Sequence, residues 1–246
     1  MKSNDNRVGL VSALLVSEKL IILIRGITMK KLSLILSATL LTAGIYSEKS
    51  HAVEGLSANV GVTSNYVWRG MTQTDDQPAI SGGIDYNAAS GFYVGTWASN
   101  VDFGDDTSAE VDFYAGYGFD AGEVAIDLGY IFYGFPGCGD CDASEVYASA
   151  SWEAITVGAF VTADSEAGAD FGDAHYIYAD LAFEVAQGLE LGFHYGISDS
   201  DGGGSVSDYG VSLSKDNFTF SVTDMDDNAI EPNVLFVISY SVDIDL

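Results

Sequence analysis

The chain has 246 residues, of which 36 are acidic and only nine are Lys or Arg, giving a formal charge of −27. Charge of that sign and size is repelled by nucleic acid and by anionic surfaces, so nucleic acid is excluded as a partner. With 48% hydrophobic and 12% aromatic residues the chain is no disordered acidic tail.

The basic residues are placed unevenly. Seven of the nine lie in the first 52 positions, which leaves Arg69 and Lys215 against 33 acidic residues over 53–246, a formal charge of −31 for that part. Met29, Lys30 and Lys31 precede an apolar run from Leu32 to Ile45, and Ser50-His51-Ala52 gives small residues at cleavage spacing. Residues 29–52 read as a secretory signal peptide. The run is too short for a spanning helix, which takes ~20 residues. Residues 1–28 read as a start-site extension, with Met29 as the initiator.

The remainder, 53–246, alternates apolar and polar residues with a period of two, the signature of strands with two unlike faces. From Leu56 to Trp68 the even positions are largely apolar and the odd ones polar. Eleven further runs follow, near 79–87, 92–101, 109–119, 123–133, 145–152, 155–162, 175–184, 189–197, 206–214, 217–223 and 234–246. Joins of two lengths separate them. Gly70 to Pro78, Asp102 to Ser108, Gly134 to Ser144, Ala163 to Ala174, Ser198 to Ser205 and Asp224 to Asn233 are long and acidic. Ala88 to Gly91, Asp120 to Gly122, Glu153-Ala154, Val185 to Gly188 and Lys215-Asp216 are short, and the two classes alternate.

A β-sandwich has no reason to sort its loops this way. An outer-membrane barrel does, with long outer loops, short periplasmic turns and an even strand number. The fold class expected is therefore all-β: a transmembrane antiparallel up-and-down barrel of about 12 strands over 53–246. The partners expected are outer-membrane lipid and the barrel-assembly machinery, to which the alternating C-terminal strand ending at Leu246 presents its signal. Aromatic girdles are expected at both ends, with Tyr66, Trp68, Tyr130, Phe132, Phe160, Phe193, Tyr195 and Tyr209 at the outer one.

Asn65-Tyr66-Val67-Trp68-Arg69-Gly70-Met71-Thr72-Gln73 resembles the opening of the TorF-type porins of proteobacteria. Trp97 to Val101, Glu110 to Tyr117, Asp127 to Tyr133, Phe135-Pro136-Gly137 and Glu145-Val146-Tyr147 are similar to that family's core blocks. The resemblance implies an outer-membrane channel and runs from about Leu56 to the C-terminus. Cys138 and Cys141 stand outside it; in an exported chain they are expected to form a disulfide that staples a loop.

If the apolar face meets lipid, the opposite face lines the lumen. The candidate pore-lining residues are Glu110, Asp112, Glu145 and Asp208 near the outer mouth, with Arg69 as their basic member. Asp127 and Asp180 are expected at mid-barrel, and Asp85, Glu184 and Glu190 toward the periplasm. Rings of carboxylates favour cations. Arg69 reads equally as a selectivity element and as a clamp that holds carboxylates in place. Tyr114, Tyr133, Tyr147, Tyr176 and Tyr178 fall on the same inner face.

Catalysis has little to stand on. Beyond residue 52 the only histidines are His175 and His194, and neither sits in a nucleophile motif. The loop carboxylates carry no EF-hand pattern, so no metal or cofactor is expected. The function expected is a passive channel for small hydrophilic solutes, preferring cations; a structural or adhesive barrel, then a barrel hydrolase, are the alternatives.

Overall fold

The computed structural model describes residues 53–201, 203–226 and 234–246. The start-site extension, the signal peptide and most of the last long join lie outside the described residues.

β1 (Leu56–Thr63) opens the fold and is followed by a ladder of β2 (Val67–Trp68) and β3 (Met71–Thr72), which makes a separate two-stranded sheet. Next come β4 (Ala79–Asn87), β5 (Phe92–Asn100), β6 (Ala109–Ala121), β7 (Val124–Gly134) and β8 (Ala143–Trp152). β9 (Ile155–Ser165), β10 (Ala174–Ala186), β11 (Leu189–Ser200), β12 (Gly204–Lys215), β13 (Phe218–Asp226) and β14 (Leu235–Asp245) complete it. Twelve of these strands form one closed antiparallel barrel, sealed where β1 meets β14 from Ser57 opposite Asp245 to Thr63 opposite Ser239. Closure satisfies the backbone ladder on every side, which a sheet in hydrocarbon requires.

Alternation gives the barrel its two surfaces. Ile80 and Phe236 are each 66% exposed, and Phe113, Ile177, Phe220 and Ile238 project outward beside them. A bare apolar belt of this kind is suited to lipid and not to water. The five short joins cluster at one end. In two of them Glu153 and Asp216 adopt positive φ (51° and 53°), which lets a two-residue turn reverse the chain with the strand twist. The long joins that lie wholly within the described residues, such as 102–108 and 135–142, lie at the other end, and one join there is shorter than expected. β11 and β12 pair out to Ser200 opposite Gly204, so the expected loop from Ser198 to Ser205 shrinks to residues 201–203.

The inner wall is thinned by glycine. Across adjacent strands Tyr93 faces Gly116, Tyr114 faces Gly95, Tyr147 faces Gly129 and Tyr178 faces Gly158. A Cβ added to any of these glycines would collide with the facing tyrosine. Each ring therefore lies along the neighbouring strand instead of standing toward the barrel axis, a cross-strand pairing in which the aromatic covers the glycine.

The first strand is shorter than its periodicity predicts. Alternation continues to Trp68, but both ladders of β1 stop at Thr63, and the chain then leaves the wall. Tyr66 and Trp68 consequently do not join an outer girdle. Tyr66 packs edge-on against Trp97 (centroids 5.4 Å apart) and Trp68 against Tyr133 (6.1 Å), both inside. Phe160 also points inward, between Tyr147 and Tyr178. Tyr130, Phe193, Tyr195 and Tyr209 do face outward, as exposed side chains.

Candidate functional site

The segment after β1 folds back into the barrel as a hairpin. Its base is held by short polar side chains. Thr72 Oγ1 donates to Asn65 Oδ1 (2.6 Å), and Asn65 Nδ2 donates to Asp76 Oδ1 (2.8 Å). Thr74, fully buried, donates from its hydroxyl to the Gln77 carbonyl (2.6 Å) and accepts the Tyr66 amide (3.2 Å). The Gln73 carbonyl accepts the Asp102 amide (2.8 Å), which ties the hairpin to the loop between β5 and β6.

Its tip is Arg69-Gly70, with φ of 47° and 82°, the pair of positive values that a type I′ turn demands. Gly70 is pressed against β12 and β13: a Cβ there would lie 2.8 Å from Asp208 Cβ and 3.0 Å from Met225 Cβ. Only glycine fits this approach.

Arg69 reaches the opposite side. Nη1 donates to Glu145 Oε1 (2.9 Å) and Nη2 to Glu145 Oε2 (2.8 Å), a two-pronged pair with both side chains about nine-tenths buried. The Tyr133 hydroxyl donates to the same carboxylate (2.9 Å). The guanidinium carbon lies 4.1 Å from the ring centre of Trp68, 4.3 Å from that of Tyr176 and 5.0 Å from that of Phe160. Charge-assisted hydrogen bonds on one edge and aromatic faces around the plane suit guanidinium better than ammonium. The ladder slips beside Glu145, where Ser144 pairs with Asp164 but Glu145 with Thr162, leaving Ala163 as an extra residue. Irregularities of this kind re-aim side chains next to functional sites.

The other inward carboxylates are held in separate groups. His194 Nδ1 lies 2.6 Å from Asp180 Oδ1 and Nε2 lies 2.9 Å from Asp208 Oδ1, with the Tyr176 hydroxyl donating to Asp208 (3.2 Å). Asp127 accepts the Tyr93 hydroxyl (2.9 Å), which in turn meets the Tyr147 hydroxyl at 2.5 Å. Asp85 accepts from Tyr114 and from Asn59 Nδ2 (3.3 Å). Glu110 and Asp112 are buried beside the hairpin base on β6. Glu184 sits at the turn end, where its carboxylate accepts the Gly188 amide (3.2 Å), directly across from Glu190.

The sequence therefore places these ten residues on the inner side, but not as a ring of free carboxylates around an open bore. Glu110, Asp112, Asp127, Glu145 and Asp208 are all buried. Hydroxyls, His194 and Arg69 engage the carboxylates of Asp127, Glu145 and Asp208, whereas Glu110 Oε2 and Asp112 Oδ1 are buried without a hydrogen-bond partner among the described residues. Arg69 is not the last residue of a wall strand but the tip of an inserted hairpin, a placement that alternation alone does not reveal. On the loop side of the Arg69–Glu145 pair lies a cavity of about 220 Å³ lined by Trp68, Arg69, Glu145, His175, Asp199 and Ser200 among others. In the loop between β7 and β8 Cys138 and Cys141 are paired, with Cα atoms 5.7 Å apart.

Solved structures share this architecture. A KdgM porin covers 77% of this chain with 99% of its own length at 11% identity and a TM-score of 0.51. A chain from "Unveiling the Mechanism Behind the in-meso Crystallization of Membrane Proteins" covers 78% with 84% of its own length at 9% identity and 0.52. A NanC porin covers 77% with 98% of its own length at 10% identity and 0.43. At such identities the first two, with TM-scores above 0.5, show the fold alone: a porin-like barrel, here of twelve strands. No curated protein matches the chain by sequence. The family described as "Bacterial protein of unknown function (Gcw_chp)" matches residues 48–239. That match spans most of the sequence, and the chain belongs to the Gcw_chp family.

Proposed function

We propose that the protein is an outer-membrane channel for small hydrophilic solutes, that it prefers cations, and that the inserted hairpin sets its bore. The observation that carries this reading is the inward hairpin itself. A barrel whose only task was structural would have no use for a polar interior crossed by a charged, hydrogen-bonded loop, since apolar packing fills a lumen at less desolvation cost. The cavity above Arg69 leads to that barrier and is flanked by Asp199.

The sign of the selectivity follows from charge. Arg69 is neutralised by Glu145, and the remaining inward groups are dominated by carboxylates, which attract cations and repel anions in a confined passage. The reading includes export by the 29–52 signal peptide, insertion by the barrel-assembly machinery, residence in the outer membrane and kinship with the TorF-type porins. Catalysis fits the site poorly, because the nitrogens of His194 meet Asp180, Asp208 and Tyr176 and not a serine.

Refolded protein in a planar bilayer under a potassium chloride gradient tests the proposal. Step conductances whose reversal potential lies toward the potassium equilibrium value are expected, and Asp199→Asn moves that potential toward zero. Silence at every salt concentration removes the channel; a reversal potential toward the chloride value removes the cation preference.

A further inference from the structure

The wall that receives Arg69 is complete without the hairpin. Tyr133, Glu145, Phe160 and Tyr176 come from four successive strands, β7 to β10, and together offer a carboxylate, a hydroxyl that orients it and two aromatic faces. The hairpin contributes the occupant and one further aromatic, Trp68. Bidentate acceptance by Glu145 selects a planar, forked donor, and the stacked rings select a weakly hydrated delocalised cation. The neighbouring cavity opens onto both Arg69 and Glu145, so a solute entering from the loop end meets the pair directly.

We propose that this pocket is a binding site for guanidinium-bearing organic cations, and that Arg69 is a tethered occupant which such solutes displace. The physiological meaning of the site rests on the channel reading, but the site itself does not. A free guanidinium exchanges with the tethered one without leaving Glu145 buried and unpaired, whereas sodium or a tetraalkylammonium ion reproduces only part of the contact set. Tethering sets an effective concentration on the order of millimolar for a short loop, so exchange in the unmodified protein needs solute at or above that range.

The test is a titration of refolded protein in detergent with methylguanidinium chloride, at constant ionic strength, read by isothermal titration calorimetry. In Arg69→Ala the pocket is vacant, and saturable binding is expected at concentrations at least about tenfold below those of the unmodified protein and of tetramethylammonium chloride, given the strength of charge-assisted pairs. Adding Glu145→Gln to Arg69→Ala abolishes it. If Arg69→Ala does not refold, Arg69→Gln, which keeps most of the packing without the charge, serves the same comparison. Equal responses to methylguanidinium and tetramethylammonium, or binding that survives Glu145→Gln, overturn the proposal. Because this readout needs no current, conductance without methylguanidinium binding removes the site alone, and binding to a silent barrel supports the site while removing the channel.

Discussion

Arg69 and Glu145, seventy-six positions apart, join through two parallel hydrogen bonds of 2.9 and 2.8 Å, so that the tip of an inserted loop is fastened to the middle of the chain. Removing one partner of a buried pair costs about 3–5 kcal/mol when the other charge stays where it was. The hairpin has a way to relieve that cost, which is to leave the lumen. Arg69→Ala is therefore expected to speed amide hydrogen exchange across residues 65–77 while β7 to β10 keep their protection. Mass-resolved exchange in detergent checks this. Unchanged protection of the hairpin would show that its base, not its tip, holds it in place.

A second prediction concerns the tyrosine-over-glycine wall. Gly129→Ala places a methyl group under the ring of Tyr147 and forces it toward the axis. Overpacking of this kind costs about 1–3 kcal/mol. The loss, measured as a shift in urea unfolding in lipid vesicles, is expected to shrink in a Tyr147→Ala background, since the two positions are in contact and couple.

Much of this architecture is legible in the sequence, because each barrel strand has one face in an apolar surrounding and one in a polar surrounding. The run from Val234 to Leu246 shows it plainly, and β14 falls within it. The hairpin is not legible for a physical reason. Val67 to Arg69 continue the alternation of β1 in step, and periodicity records which faces differ without recording where ladder partners end. Arg69-Gly70 is also a weak turn signal, since arginine seldom takes the first positive φ of a type I′ turn. The block from Asn65 to Gln73, singled out by its sequence, is the inserted hairpin itself. The polar grouping of Asn65, Thr72 and Thr74 was the available sign that this stretch closes on itself. Alternation assigns the carboxylates to the inner face, but their partners sit on other strands and depend on register. Nothing local to His194 announces Asp180 and Asp208.

The outward face yields a third prediction. Leu128 lies on β7 well inside both ends of the strand, and its side chain is exposed on the apolar belt. Leu128→Arg is expected to destabilise the barrel in vesicles by about 2–4 kcal/mol, the penalty for a cation near the bilayer midplane. The same substitution at Glu123, in the turn between β6 and β7, should leave stability close to unchanged.

The paired cysteines give a fourth. Protein exported to an oxidising compartment is expected to hold Cys138 and Cys141 as a disulfide, so an alkylating reagent labels neither thiol until reductant is added. Labelling of both without reductant would contradict this.

The most direct test of the account is the single-channel conductance of the unmodified protein beside that of Arg69→Ala, in the same bilayer and salt. A barrel whose bore is set by the hairpin predicts small steps from the first and larger ones from the second. Equal conductance in the two would show that the Arg69–Glu145 fastening does not control passage, and the absence of conductance in both would contradict the channel.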